Sequence, residues 1–275
     1  MKVALGLEYD GRDFSGWQWQ PNSRSVQETL EKALSFVADE PVSAVCAGRT
    51  DAGVHACRQV VHFESRMERA MHSWVMGTNS CLAPSIRVLW ARGVERNFHA
   101  RSSAIARYYR YLIFNRAMHS AHYHGLMTWC YQPLAVEPMF EASRVLIGEH
   151  DFTSFRARSC QSKSPCRRIY HIGVGREEDR IAIDVLGNAF LHHMVRNIAG
   201  VLMEIGAGKK APEWAEQVLQ ARDRNLAGVT APPDGLYLAG IYYPENFGIP
   251  RHPMFDILPE GVQRYQKNES GSGPP

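Results

Sequence analysis

The sequence has no apolar run close to the roughly 18 to 20 residues that a membrane-spanning helix needs. Its first ten residues already turn polar, which does not match a secretory signal. The six cysteines form no C-x-x-C pair and no spacing typical of a disulfide framework, so we expect reduced, mostly buried thiols. With 45% hydrophobic and 21% charged residues, the composition is that of a globular protein, and we predict a cytoplasmic location with no membrane partner.

Signatures of nucleotide cofactors are also missing. The GAGKK stretch at 206–210 fails the P-loop pattern G-x-x-x-x-G-K-[ST], because position 203 is methionine and Lys210 stands where serine or threonine is required. The stretch instead predicts the end of a helix, with basic residues at the negative end of the helix dipole. No G-x-G-x-x-G fingerprint is present, and we predict no cofactor.

Metal-ligand clusters are equally hard to find. Twelve histidines are present, and His119, His122 and His124 form the densest group. No cysteine or carboxylate lies near them at ligand spacing, so we expect a loop or strand cluster rather than a metal site.

Lysine is scarce, whereas arginine is abundant. The chain carries six lysines and 25 arginines, with a formal net charge of only +3. Arginine forks suit phosphates and planar bases better than lysine does, although a GC-rich coding sequence gives the same bias. Seven arginines and the single acid Glu95 lie between Arg87 and Arg116, which indicates either a nucleic-acid contact or a solvated face. A second basic block contains Arg156, Arg158, Lys163, Arg167 and Arg168.

Hydrophobic periodicity predicts a β-α-β-β-α-β order in the first half of the chain, which is the split βαβ unit of ferredoxin-like domains. Ser25 and Glu28 form a capping box at the start of the first helix. Phe14, Trp17 and Trp19 lie in the loop before it, where anchoring to the core is favoured over base stacking. The predicted strands cover residues 3–9, 42–47, 55–63 and 86–94, and the helices begin at 25 and cover about 68–82.

The second half predicts the same order with one helix inserted, although the two halves share no visible sequence identity. Its first helix is expected to bury Phe140, Val145 and Leu146. A charge cluster at 176–180 is predicted to form a hairpin turn. The predicted strands cover residues 104–115, 168–175, 181–186 and 236–243, and the helices cover about 138–147, 189–205 and 213–222.

These patterns together predict an α+β fold of two ferredoxin-like domains. The domains are expected at 1–103 and 104–258, sharing an extended, mainly antiparallel sheet with helices on one side and a cleft between them. The tail at 259–275 is rich in Gly, Ser and Pro, and we predict that it is disordered.

The ten residues AGRTDAGVHA at 47–56 form the most distinctive segment. Asp51 lies between a polar run and Gly53, which permits a sharp backbone turn and leaves room for a ligand. Arg49 is two residues away, close enough to orient and charge-stabilise the carboxylate. The alternative is a tight turn in which Asp51 bonds its own backbone.

Eight stretches, in order along nearly the whole chain, resemble TruA-type tRNA pseudouridine synthases, and the GRTDAGVH segment is highly specific for that family. The stretches are LGLEYDGRDFSGWQ at 5–18, SVQETLEKAL at 25–34, CAGRTDAGVHA at 46–56, QVVHFES at 59–65, NFHARSSAIARYYRYLIFN at 97–115, GEHDFTSFRA at 148–157, NAFLHHMVRNIAG at 188–200 and DGLYLAGIYYP at 234–244.

The resemblance implies isomerisation of uridine to pseudouridine in tRNA, with neither a cofactor nor a metal. It assigns Asp51 as the nucleophile, attacking either the base or the sugar carbon. Arg49 matches the family arginine that pairs with the catalytic acid. Tyr109 matches the tyrosine that stacks on the uracil after it flips out, with a hydroxyl placed for a proton role. Arg196 is expected to line the cleft near Asp51.

Other positions carry smaller implications. Leu236 and Tyr237 match the segment that forms part of the pocket wall. Tyr108 stands where many relatives carry a basic residue, and for Tyr108 and Tyr111 packing is the expected role. On a strand, Tyr109 and Tyr111 share one face, while Tyr108 and Arg110 share the other.

The family acts on positions 38 to 40 of the anticodon stem-loop as a homodimer. The resemblance therefore implies tRNA and a second copy of the chain as partners, and no DNA. The seven-arginine segment is then expected to grip tRNA backbone in a salt-dependent manner.

Two other functions stay open at this point. The first is a non-catalytic RNA-binding protein on the same scaffold, which an intact Asp51, Arg49 and Tyr109 disfavour. The second is a hydrolase, for which a metal nuclease would need a carboxylate cluster. Asp10 and Asp13, together with Glu64, are the candidates nearby in sequence.

Overall fold

A computed structural model describes residues 1–250 of the 275-residue chain. Within that range the fold is α+β, with ten β-strands that pair mostly antiparallel and five α-helices. Packing divides the described residues into two compact units, which are Met1–Arg107 with the chain from Tyr237 onward, and Tyr108–Leu236. None of the helices in residues 1–250 is long and apolar enough to cross a membrane.

The domain limits at residues 103 and 104, the shared sheet and the cleft stay predictions. The tail at 259–275 lies outside the described residues.

The first unit has the predicted β-α-β-β-α-β order. Its strands pair in the order β4-β1-β3, and β2 also pairs with β3, all antiparallel. This is the strand arrangement expected of a ferredoxin-like unit. The elements are β1 (Lys2–Tyr9), α1 (Val26–Ala38), β2 (Val45–Cys46), β3 (His55–Glu64), α2 (Met71–Cys81) and β4 (Ile86–Gly93).

Helix α1 begins where the capping box predicted. The Ser25 hydroxyl accepts a hydrogen bond from the Glu28 N–H at 3.2 Å, which satisfies one of the unpaired donors in the first helical turn. Leu30 and Leu34 are fully buried on the core face. The helix ends at Ala38, and the left-handed conformation of Asp39 lets the Glu40 N–H donate to the Ser35 carbonyl at 3.3 Å.

The aromatic side chains in the loop between β1 and α1 mainly anchor that loop to the core, as predicted. Phe14 and Trp17 are buried, while Trp19 is 54% exposed. Burial of the first two rings fixes the loop against the body of the first unit.

The second unit contains five strands and three helices. Strands pair in the order β5-β9-β8-β7, and β6 pairs in parallel with β5. The short strands β6 and β7 were not predicted. The elements are β5 (Ala106–Asn115), β6 (Thr128–Cys130), α3 (Val136–Ser143), β7 (Gly148–Asp151), β8 (Cys166–Glu177), β9 (Arg180–Gly187), α4 (Met194–Gly206) and α5 (Trp214–Ala221).

The predicted apolar face of helix α3 is partly wrong. Phe140 is 46% exposed, whereas Met139 and Ala142 are buried on the core side. The helix begins two residues earlier than predicted and becomes a 3-10 turn at Arg144, so the buried face is rotated toward Met139. Leu146 is fully buried, as predicted.

A tight hairpin joins β8 and β9. The two strands extend further than predicted, to Glu177 and from Arg180, so the turn shrinks to Glu178 and Asp179. Glu178 adopts a left-handed φ of 52°, which the two-residue turn requires.

The last strand, β10 (Leu236–Tyr242), begins at the junction of the two units. In the first unit, Tyr237 lies opposite His55 and Leu238 opposite Ala56, in parallel. This pairing places Tyr237 beside the residues that follow the Asp51 segment.

The six cysteines, all within residues 1–250, form no disulfide there, as predicted, but most of them are not buried. Cys46 is buried, Cys57, Cys81 and Cys166 are exposed, and the other two are intermediate. The expectation of buried thiols was therefore wrong, because several cysteines lie at polar strand ends and in loops.

Candidate active site

Asp51 lies on the loop that connects β2 to β3. The Val54 N–H donates to the Asp51 carbonyl at 3.1 Å, and Gly53 has a φ of 77°, so the chain turns sharply just after the acid. The Asp51 side chain is half-buried. The turn expected from Asp-Ala-Gly is therefore present, and it leaves the carboxylate at the edge of the first unit's core.

The loop between β1 and α1 holds the Asp51 loop in place through its backbone. The Trp17 N–H donates to the Thr50 carbonyl at 2.9 Å, and the Gly53 N–H donates to the Phe14 carbonyl at 3.3 Å. At Gly16, where φ is 90°, an added Cβ would lie 2.7 Å from the Thr50 oxygen. Glycine is thus required there by both conformation and space.

Arg107 braces the strand that enters the loop. Its guanidinium donates to the carbonyls of Ala47 at 3.2 Å, Ala104 at 3.1 Å and Arg101 at 2.6 Å. Three carbonyls fixed by one rigid fork hold the start of the loop against the segment that precedes β5. Sequence reasoning counted Arg107 with the basic segment and missed this role.

Arg49 extends from the same loop into solvent. Within residues 1–250 its side chain makes no hydrogen bond or ion pair with a protein group. An exposed guanidinium two residues from Asp51 is available to an anionic ligand. The pairing of Arg49 with Asp51 stays a prediction.

His55 and Tyr237 stack at the exit of the loop. Their ring centroids are 4.6 Å apart and nearly parallel. The Gly11 N–H donates to His55 Nδ1 at 3.2 Å, so this nitrogen acts as an acceptor and cannot also donate to Asp10, whose oxygen lies 3.3 Å away. We therefore do not assign a His55–Asp10 ion pair.

Asp10 is instead engaged by Arg12. Burial raises the pKa of Asp10, but the hydrogen bonds from Arg12 outweigh burial, and the net pKa lies below its ordinary value. The same carboxylate accepts the Arg12 backbone N–H at 3.1 Å, which is turn chemistry.

Residues Asp10, Asp13 and Glu64 do not form the carboxylate cluster that a metal nuclease needs. Glu64 pairs with Lys2 at one end of β1 and β3, while Asp10 follows β1 at its other end. The intervening strand separates them by about 25–30 Å at ~3.3 Å per residue. The hydrolase interpretation therefore loses its proposed ligand set.

Tyr109 lies on β5 in the second unit. It is 9% exposed and meets Phe190 edge-to-face, with centroids 5.0 Å apart. This contact fixes the plane of the Tyr109 ring. On the other face of the strand, as alternation predicted, Tyr108 and Arg110 both donate to the Asp184 carboxylate.

Tyr111 is a packing residue, as expected. Its hydroxyl lies 2.6 Å from the Thr128 hydroxyl and donates to the Pro232 carbonyl at 2.9 Å. Burial raises the pKa of the Tyr111 phenol above its ordinary value. It is therefore unsuited to proton transfer near neutral pH.

Arg196 lies in the first turn of α4. Its Nε donates to the Ala231 carbonyl at 2.8 Å, and its own carbonyl accepts from the Ala231 N–H at 3.2 Å. The Nε contact orients the guanidinium, and the backbone contact ties the first turn of α4 to Ala231. The structure thus places Asp51 and Arg49 on one loop of the first unit, and Tyr109 and Arg196 on regular elements of the second.

The basic segment from 87 to 116 divides into structural and exposed arginines. Arg87 donates to the carbonyls of Leu82, Ala83 and Ile86, and so braces the connection between α2 and β4. Arg107 and Arg110 are engaged as described above, and Arg116 lies 3.7 Å from Asp179. The exposed members are Arg92, Arg96 and Arg101, together with Arg116, which also pairs with Asp179.

The second basic block is largely structural as well. Arg156 and Arg167 donate to carbonyls of the irregular loop before β8, and Arg168 pairs with Glu149 on β7. Lys163 and Arg158 are exposed, and Arg158 also donates to the Asn225 side-chain oxygen. Most of this charge therefore holds backbone together rather than forming a phosphate-binding face.

A model of the family described as tRNA pseudouridine synthase matches residues 7–101 and 142–244. The chain belongs to this family. Proteins named tRNA pseudouridine synthase A from Methylococcus capsulatus and Nitrosococcus oceani are 55% and 59% identical to it, over 98% and 91% of this chain and 99% and 97% of theirs. One of the same name from Pseudomonas aeruginosa is 55% identical over 90% of this chain and 88% of its own.

The resemblance inferred from the sequence motifs is thereby confirmed. The matched ranges contain Asp51 and Arg49 in the first segment and Arg196 in the second, whereas Tyr109 falls in the unmatched interval. Membership of the tRNA pseudouridine synthase family makes the protein an isomerase.

Proposed function

We propose that the protein converts uridine to pseudouridine at positions 38 to 40 of the tRNA anticodon stem-loop, with Asp51 as nucleophile. The observation that carries this proposal is the GRTDAGVH loop itself. In a chain that belongs to the tRNA pseudouridine synthase family over most of its length, this loop offers a half-buried carboxylate on a backbone held from both sides.

The chemistry exchanges one glycosidic bond for another. The bond from the ribose C1′ to N1 breaks, the uracil rotates, and C1′ bonds to C5, which loses its hydrogen as a proton to solvent. Asp51 forms a transient bond to the base or to the sugar carbon. This bond breaks as the C1′–C5 product forms, which regenerates the carboxylate, and N1 takes up a proton in place of its lost bond to C1′. A rigid loop suits this task, because the carboxylate must be held within reach of a base that moves.

The other predicted residues act on the flipped nucleotide. The Tyr109 ring, oriented by Phe190, stacks on the uracil. The exposed guanidinium of Arg49 and the guanidinium of Arg196, which Ala231 holds in place, bind the anionic RNA backbone on either side of the target uridine. Their donor geometry supports substrate binding, and neither cofactor nor metal is needed for the bond exchange.

The partners follow from the substrate. We propose that tRNA is bound by a homodimer in the cytoplasm, without DNA or membrane partners. The exposed arginines Arg92, Arg96 and Arg101 are better candidates for phosphate contacts than the arginines that donate to backbone carbonyls or pair with acids.

The test uses anticodon stem-loop RNA with tritium at C5 of single uridines. We expect wild-type protein to release tritium from uridines at positions 38, 39 and 40, to leave the strand intact, and to act equally well with a chelator present. Tritium release only from uridines at other positions would show that positions 38 to 40 are not the target. Binding without release would favour the non-catalytic RNA-binding protein, and chelator-sensitive strand cleavage would favour the hydrolase.

A further inference from the structure

A buried polar chain lies behind the Asp51 loop. Gln59, on β3, is fully buried, and Tyr9, at the end of β1, is 4% exposed. A buried amide or phenol is costly unless its polar atoms find partners. Both side chains find them in the backbone and side chains of residues 48–50, immediately before the acid.

Gln59 contacts Gly48 at two points, its N–H and its carbonyl. Its Nε2 donates to the Gly48 carbonyl at 2.6 Å, and its Oε1 accepts from the Gly48 N–H at 3.4 Å and the Val60 N–H at 3.3 Å. Because two N–H donors face Oε1 and a carbonyl faces Nε2, the orientation of the Gln59 amide is fixed. The amide therefore holds Gly48 in a single pose.

Tyr9 continues the chain toward Asp51. Its hydroxyl oxygen lies 3.4 Å from Gln59 Nε2 and 2.8 Å from the Thr50 hydroxyl. Thr50 is 7% exposed and directly precedes Asp51. Both ends of the Gly48–Thr50 segment are thus tied to the sheet from behind, while Arg49 between them projects into solvent.

We propose that Gln59, Tyr9 and Thr50 are positioning residues that set the pose of Asp51 and Arg49 for the reaction. The inference rests on the proposed function, since it assigns the chain a role in that same site. None of the three needs to touch the RNA, because they act through the backbone of residues 48–51. Their loss should therefore slow the bond exchange and leave tRNA affinity intact.

The main test compares two hydroxyl deletions in the same unit. Tyr9→Phe removes the hydroxyl next to the Asp51 loop. Tyr243→Phe removes a hydroxyl of similar burial, which donates to the Ala100 carbonyl at 2.6 Å. Single-turnover tritium release, the tRNA dissociation constant and Tm are measured for both variants.

We expect Tyr9→Phe to slow single-turnover release by about tenfold, with tRNA affinity within about twofold of wild type. Tyr243→Phe should lower Tm by a similar amount and keep the wild-type rate. Equal rates for the two variants, or a Tyr9→Phe defect confined to tRNA affinity, would overturn the proposal.

Thr50 variants and a double variant make the test independent of global folding. Thr50→Val removes the hydroxyl at constant shape and should slow release, while Thr50→Ser restores the hydroxyl and the rate. Because Tyr9 and Thr50 act through one shared hydrogen bond, Tyr9→Phe with Thr50→Val should be no slower than the worse single variant. If the rate losses of the two single variants multiplied in the double variant, Tyr9 and Thr50 would not act through one shared hydrogen bond.

The outcomes separate this inference from the proposed function. If wild-type protein released no tritium from any tRNA, the proposed function would fail. If wild-type protein is active and Gln59→Leu, which removes both contacts to Gly48, retains the wild-type rate, the positioning role fails by itself.

Discussion

Gly16 lies against the loop that carries Asp51, and a single methyl group there should displace that loop. In Gly16→Ala the new Cβ would lie 2.7 Å from the Thr50 oxygen and 3.1 Å from the Asp51 carbonyl carbon. Ordinary contact distances require a shift of about 0.7 Å or more. Because the Trp17 N–H holds the same oxygen at 2.9 Å, the shift must also weaken that hydrogen bond.

Gly16→Ala should lower both the stability of the protein and the rate of tritium release. Left-handed backbone costs alanine about 1–2 kcal/mol, and a weakened hydrogen bond about 1 kcal/mol. The stiffer unfolded chain offsets about 0.4–1 kcal/mol. The net loss of about 2 kcal/mol lowers Tm by roughly 4–8 °C. A displacement of the loop by more than half an ångström should slow single-turnover release at least about tenfold.

Gly208→Ala is the matched control. Gly208 also has a left-handed φ, of 70°, but an added Cβ there meets nothing within 4 Å. We expect it to lose about 1 kcal/mol of stability and to keep the wild-type rate. Differential scanning fluorimetry and single-turnover tritium release measure both effects. Equal tritium-release rates for the two alanine variants would refute the claim that the Asp51 loop needs glycine at position 16 to keep its position.

Three further outcomes are expected. Arg101→Ala should weaken tRNA binding and reduce the slope of log K against log salt by about 1, whereas Arg87→Ala should lower Tm and leave that slope unchanged. Burial, with Lys2 and His99 nearby, lowers the pKa of His62 to about 4. As pH falls from about 6.5 to 4, His62 is therefore protonated in the unfolded state but not in the folded state, so the free energy of unfolding should fall by roughly 2 kcal/mol. The fall should be smaller in His62→Gln. Thermal melts of both proteins at pH 7 and 4.5 measure the difference. Asp184→Ala should lower Tm by roughly 4–8 °C, because it leaves both of its donors on β5 without their acceptor.

Local signals in the sequence predicted most of the first unit. The capping box at Ser25 placed the start of α1, and two-residue alternation placed β1, because both patterns act over a few neighbouring residues. Strands β6 and β7 escaped detection since three or four residues are too few to show a period. Their pairing partners, and not their own composition, make them strands.

The site shows the same division between local and long-range information. The GRTDAGVH motif located Asp51 and the family, but nothing local marked Gln59 or Tyr9, which lie 11 residues from Gly48 and 41 from Thr50. Strand pairing brings those side chains behind the loop. Likewise, a run of arginines predicts charge and does not reveal that Arg87 or Arg107 is committed to backbone carbonyls.

The central claim is that the bond exchange depends on the Asp51 carboxylate. Asp51→Asn, which keeps the shape and removes the charge, is compared with Asp13→Asn, an exposed acid on the loop that follows β1. The account predicts no measurable tritium release by Asp51→Asn while stem-loop affinity stays within about threefold of wild type, and full release by Asp13→Asn. Release by Asp51→Asn at the wild-type rate would place the chemistry on another residue and contradict the account.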